Sequence, residues 1–142
     1  MYLLVKDEEK KYKVTHLNDI CYNPANLKFG VITRNTFGDC IISPIYITFT
    51  INNNCLPKFV ELLVTRKQFI TQARKYEQGT VYERMAVNSS DLLSMNVLIP
   101  SLSIQKRIVD IIDIIDNKIT NEKELLNLYK TQKDYLLKNM FI

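Results

Sequence analysis

His16 is the only histidine in this 142-residue chain, and Cys21, Cys40 and Cys55 are the only cysteines. A structural zinc site normally draws on four Cys or His ligands set in close pairs. No CxxC or comparable pair occurs here, so no metal site is expected and the cysteines read as free thiols. Catalytic signatures are missing too. There is no GxSxG, Walker loop, GxGxxG, HExxH or DPPY-type methyltransferase motif. A Cys–His nucleophile would have to use His16, in a charged early segment, while Glu61 and Asp91 have no partner at an interpretable spacing. The chain is therefore not expected to be an enzyme or to carry a cofactor. No apolar run approaches the roughly 18 residues needed to cross a bilayer. The opening stretch Met1–Lys11 turns charged after five residues and has no signal-peptide core. A cytoplasmic chain with no membrane partner is the expectation. Tryptophan is absent and glycine is scarce, at three residues.

Glycine and proline are both missing from Ser101 to Ile142, and that absence frames the strongest positive signal. After Pro100, with Ser101 and Ser103 available as N-caps, apolar residues recur at alternating spacings of four and three. They are Ile108, Ile112, Ile115, Ile119, Leu126, Tyr129, Leu136 and Met140, with Glu122 and Lys133 interrupting the series. This is the seam of a long helix that packs on another helix. Polar residues at seam positions fix register and orientation at some cost in stability. Forty helical residues span roughly 60 Å, against a radius of gyration of roughly 13 Å for a 100-residue domain. The sequence therefore reads as a domain over 1–100, followed by a projecting coiled-coil helix over 101–142 that needs a partner.

The net charge is +4. Between Lys58 and Arg84 six bases face three acids, whereas the arm from 101 carries seven bases and six acids. The basic surplus thus sits in the domain, where it suits a polyanionic partner.

Along the domain, Tyr12–Thr15, Asp19–Tyr22 and Lys28–Thr33 read as short strands. Asn23–Asn26 and Asn35–Asp39 read as turns. Ile41–Ile51 is the strongest strand signal, with Pro44 marking a bulge or an edge. Helical periodicity runs from about Pro57 to Tyr76, as one or two helices, and a short helical turn is expected around Ser90–Leu93. Gly79–Arg84 is a polar loop, and Asn96–Ile99 reads as a last strand. The fold class expected is α+β: a small, mostly antiparallel sheet with packed helices, then the long helix.

Several of these stretches resemble one family. Pro100, Leu102, Gln105 and Ile108 match the strand–proline–helix junction of the specificity subunits of type I restriction–modification systems, with Ile104 where that family usually has Glu. Asn18-Asp19-Ile20 and Tyr22-Asn23-Pro24 resemble its Gly-Asp-Ile-x-Tyr-Asn-Pro segment, with Asn18 replacing Gly. Ser43-Pro44-Ile45-Tyr46, Leu56-Pro57-Lys58-Phe59 and Gly79-Thr80-Val81-Tyr82-Glu83-Arg84 resemble further segments in the family's order, so the likeness runs from about residue 12 to 142. It implies one half of such a subunit: a shortened target-recognition domain and one spacer helix. Such subunits read double-stranded DNA and dock modification (methyltransferase) subunits, with a restriction subunit as a further member of the complex. A lone arm also implies a homodimer.

On that reading, Asn23, Asn26 and Lys28 in one loop, and Arg74, Lys75, Thr80, Tyr82, Glu83 and Arg84 in and before the other, are the candidate DNA contacts. Arg suits guanine, Asn suits adenine and Glu suits cytosine N4. Two alternatives stay open. One is a non-DNA-reading coiled-coil or regulatory protein that pairs with a full-length specificity subunit or a modification subunit. The other is an enzyme without a recognisable motif.

Overall fold

The computed structural model describes residues 12–79 and 85–140. The chain divides into two compact units, Met1–Leu102 and Ser103–Ile142.

The first unit is built on five three-residue strands: β1 (Lys13–Thr15), β2 (Ile20–Tyr22), β3 (Ile32–Arg34), β4 (Cys40–Ile42) and β5 (Ile47–Phe49). They form two antiparallel sheets. β1 pairs with β4, Val14 opposite Ile41, and β2 lies between β3 and β5, with Tyr22 opposite both Ile32 and Ile47. Two helices come next, α1 (Pro57–Val64) and α2 (Lys67–Ala73), then a 3-10 turn at Arg74–Tyr76 and a short α3 (Ser89–Ser94). Pro57 stands at the start of α1, where its missing N–H costs nothing. The helices bury Phe59, Leu63, Val64, Phe69 and Ala73. These face a core that includes Ile20, Tyr22, Leu27, Ile32, Val87 and Leu92. The α+β class holds, with the antiparallel sheet divided in two.

Three expected strands differ. The run Ile41–Ile51 is cut, because Pro44 cannot donate to a ladder and Tyr46 N donates to Ser43 O at 3.1 Å to close a turn. The half before this turn pairs with β1, and the half after it pairs with β2. The expected strand Lys28–Thr33 begins instead at Ile32, because Asn23, Pro24 and Gly30 build a 3-10 turn over Pro24–Phe29. Asn96–Ile99 forms no strand, and no described strand pairs with it.

Polar side chains hold the first sheet to the second. The Asp19 carboxylate accepts from His16 N at 2.9 Å, Thr15 Oγ1 at 3.3 Å and Thr50 Oγ1 at 3.0 Å. Asn35 Nδ2 donates to His16 O at 2.9 Å and Gly38 O at 2.7 Å, while its Oδ1 accepts from Phe37 N at 2.9 Å. Asn18, which stands where the resembled Gly-Asp-Ile segment has Gly, has φ 75°. Asn tolerates that left-handed conformation better than most residues. Its Oδ1 also accepts from Arg34, whose Nε donates to Glu61 of α1 at 3.1 Å.

The described residues of the second unit belong to one uninterrupted helix, α4 (Leu102–Met140), of 39 residues. An i,i+4 ion pair joins Lys118 to Glu122 at 2.6 Å. Ile108, Ile115, Ile119, Leu126, Tyr129, Leu136 and Met140 of the seam are exposed along it. Among the described residues no helix is long and apolar enough to cross a membrane.

Tyr22 is fully buried, stacks on Phe49 with ring centroids 5.7 Å apart, and donates its hydroxyl to Val87 O at 3.1 Å. Tyr22→Phe would leave that carbonyl without its partner, and should cost about 1–3 kcal/mol in urea unfolding. Burial, with the charge of Asp91 second, pushes the Tyr22 phenol up from 10.0 to about 12. A raised folded pKa makes the contribution of the neutral phenol complete below pH 10, and it is lost as pH climbs towards 12. Wild-type stability should therefore fall more steeply than that of Tyr22→Phe over this window, and parallel curves would exclude the linkage.

Candidate nucleic-acid interface

The turn at Pro24–Phe29 is built from its first residues. Asn23 Oδ1 accepts from Ala25 N at 3.1 Å, Pro24 presets the backbone, and Leu27 anchors the turn in the core. Gly30 ends it at φ 78°, a left-handed conformation that suits glycine. Lys28 and Asn26 are thereby held on a rigid support. Lys28 Nζ lies 5.1 Å from the centroid of the exposed Phe29 ring. Asn23 is itself only 5 % exposed, so its side chain shapes the turn and is not at the surface.

Lys28, Phe29 and Gly30 form one wall of an open groove of about 280 Å³. Thr65 and the face of α2 carrying Lys67, Ile70 and Thr71, with Arg74 just beyond it, form the other. Those α2 positions follow the i, i+3, i+4, i+7 spacing of one helix face. Among the described residues none of the lining side chains is acidic. The Arg74 guanidinium is steadied by Glu77, with Nε donating to Oε1 at 3.3 Å. Lys75 is exposed on the adjoining turn.

The second candidate loop is closed at its base. Gln78 and Ala86 exchange two backbone hydrogen bonds, each 2.9 Å, in an antiparallel bridge. Gln78 Nε2 donates to Asp91 at 2.8 Å, and Gln78 Oε1 accepts from Asn88 at 3.2 Å. Val87 N then donates to Pro24 O at 3.2 Å, and Val87 O receives the Tyr22 hydroxyl. The return leg of the second loop is thus fastened to the start of the first turn. Thr80, Tyr82, Glu83 and Arg84 lie outside the described residues.

The structure sorts the basic residues of this region. Arg34 and Lys58 are drawn to Glu61, at 3.1 and 3.5 Å. Lys28 and Arg74 share the groove, and Lys67 joins them there. In the sequence Lys67 counts only towards the charge surplus, because no loop motif contains it. The signal that finds it is its spacing from Thr71 and Arg74 on the side of α2 away from Phe69 and Ala73.

His16 Nδ1 lies 2.9 Å from Asp39 Oδ1 at an exposed site. That hydrogen bond and the carboxylate charge raise the imidazole pKa above its usual 6.5. The ring therefore faces a carboxylate and not a cysteine. Among the described residues no group of three or more His, Cys, Asp or Glu side chains is placed to hold a metal ion.

No curated protein matches the chain. The family profile for the type I restriction modification DNA specificity domain does, over residues 5–130, a stretch that takes in both loops, the groove and most of α4. With nearly the whole chain covered by that match, the chain belongs to the family of type I restriction–modification DNA specificity domains.

Proposed function

We propose that the chain is a half specificity subunit with no catalytic step of its own. Residues 1–100 are the target-recognition domain and read one half of a DNA site. Residues 101–142 are the spacer helix, which docks modification subunits and pairs with a second copy. The observation that carries the reading is the Pro24–Val87 tie. Through it, segments about sixty residues apart join the Pro24–Phe29 turn to the chain leaving the Gln78–Ala86 bridge; in the sequence Arg84 falls between the two ends of that bridge. A DNA reader needs cations for phosphates and a few side chains that reach base edges. Asn26, Arg84 and Glu83 are the base-edge candidates, with Thr80 and Tyr82 flanking them in the loop. Lys75 is a backbone contact, and Asn23 acts through the turn it caps.

Two substitutions separate these roles. Arg84→Ala should weaken or broaden specific binding by about 1–3 kcal/mol. Lys75→Ala should weaken all sequences about equally and flatten the dependence of log affinity on log salt by roughly one unit. The assay is a shift of mixed-sequence duplex DNA by the purified chain, alone and with a modification subunit, and then methyl transfer in the complex. If Arg84→Ala leaves affinity and sequence preference intact, the loop does not read bases.

The exposed seam on α4 supports the assembly half of the reading. Ile115, Ile119 and Leu126 are 48 %, 46 % and 52 % exposed, and burying one such side chain is worth about 1.5–3 kcal/mol. Two arms packed antiparallel relate two identical domains by a two-fold axis, so the dimer would read a palindromic bipartite site. Ile115→Asp would bury a charge at the seam and should dissociate the assembly. Sedimentation at micromolar concentration tests this. A wild-type monomer with its helix intact would exclude the self-dimer and favour pairing with a modification subunit or a full-length specificity subunit. The same seam favours a second reading, a coiled-coil regulator that reads no DNA. Steeply salt-dependent DNA binding separates the two.

A further inference from the structure

Three cations converge on the groove between the Pro24–Phe29 turn and α2. Lys28 enters from the turn, and Lys67 and Arg74 enter from the two ends of the helix. Among the described residues the only carboxylate paired with any of the three is that of Glu77, on Arg74. Grouped positive charges repel one another and raise the local potential, which an entering anion relieves. The groove is open, and Thr71 adds a hydroxyl to its wall. Lys, Arg and hydroxyl groups together match a phosphate oxygen better than a base edge, which asks for flat, paired donors and acceptors. Phe29, 74 % exposed at the rim, keeps the Lys28 ammonium above its ring and so limits where that charge points.

We infer that this groove is a seat for a phosphate of the DNA backbone, gripped by Lys28, Lys67 and Arg74 whatever the base sequence. The inference rests on the DNA-reading function proposed above and deepens it. It adds Lys67, which lies in neither candidate loop, and it gives Lys28 and Arg74 a role separate from base recognition. The seat stands on the same turn as Asn26, and that turn is fastened through Pro24 to the leg of the second loop. A phosphate held here would set the register in which base edges meet the two loops. Such contacts position a protein on the duplex without carrying sequence information themselves.

The test uses the full chain together with its modification subunit. Anisotropy of labelled duplexes of several unrelated sequences is measured across a range of salt concentrations. Lys67→Ala and Lys28→Ala should each lower the steepness of log affinity against log salt by about 0.9, with the same fold-loss on every sequence. Lys67→Arg should keep the slope, and Lys58→Ala, whose cation sits by Glu61, should leave it unchanged. Circular dichroism checks that each variant is folded. If wild type binds DNA while folded Lys28→Ala and Lys67→Ala keep the wild-type slope, the seat is wrong and the DNA-reading function stands. A loss confined to one sequence would also overturn it, since that is base readout. If the wild-type complex binds no duplex at any salt, both the seat and the reading beneath it fall.

Discussion

Tyr22 is the constraint on which the first unit depends. Its backbone is the end rung of the central strand of the three-stranded sheet, its ring stacks on Phe49, and its hydroxyl holds the carbonyl of Val87. The next residues, Asn23 and Pro24, begin the 3-10 turn, and Pro24 O takes the Val87 amide. Both polar backbone groups of one buried residue, Val87, are thus satisfied by residues 22 and 24. A buried backbone group without a partner costs about 1–3 kcal/mol, so the loop's return leg cannot slide along the turn cheaply. The rigidity of the candidate interface comes from that pair of bonds. A base-reading site needs such support, because a supporting shell that is loose by an ångström loses the geometry of its contacts.

Strands of three residues are short even for small domains, where five or six is usual. Each contributes few ladder hydrogen bonds and little apolar surface. Asp19 and Asn35 compensate from within the core. Both are buried, and each links several segments through hydrogen bonds that leave no described buried side-chain atom unsatisfied. Such bonds are directional, so they specify where the β1–β4 ribbon meets the other sheet in a way apolar contact would not. A fully satisfied buried network rigidifies and specifies. Asn18 belongs to the same logic. Its φ of 75° lets the chain turn from β1 into β2, and its side chain holds Arg34.

The features legible in the sequence are those that depend on local pattern. The seam from Ile108 to Met140 repeats over many turns, and one uninterrupted helix carries all of it. Tyr22-Asn23-Pro24 is legible as a resemblance, and its physical reasons are a buried anchor, a cap and a preset backbone. The features that stay hidden depend on distant partners. Ile41–Ile51 has the composition of one strand, but the turn at Pro44 sends its two ends to different sheets. Asn23 has the chemistry of a base reader, but burial commits its oxygen to Ala25. Lys67 has no motif to mark it, because its neighbours in the groove include Lys28, nearly forty residues away.

The two units also divide the chemistry between them. The groove gathers cations with no acid in its lining, while α4 intersperses acids and bases along its length and offers a stripe of isoleucine and leucine. Counterion release makes cation–phosphate contact depend steeply on salt, whereas apolar burial at a helical seam depends on it weakly. The division therefore has a consequence for assembly on DNA. In the dimer proposed above, raising salt would release the nucleic acid long before it separated the paired helices. That order of strengths would let such a dimer keep its two domains together while its contacts to DNA are exchanged.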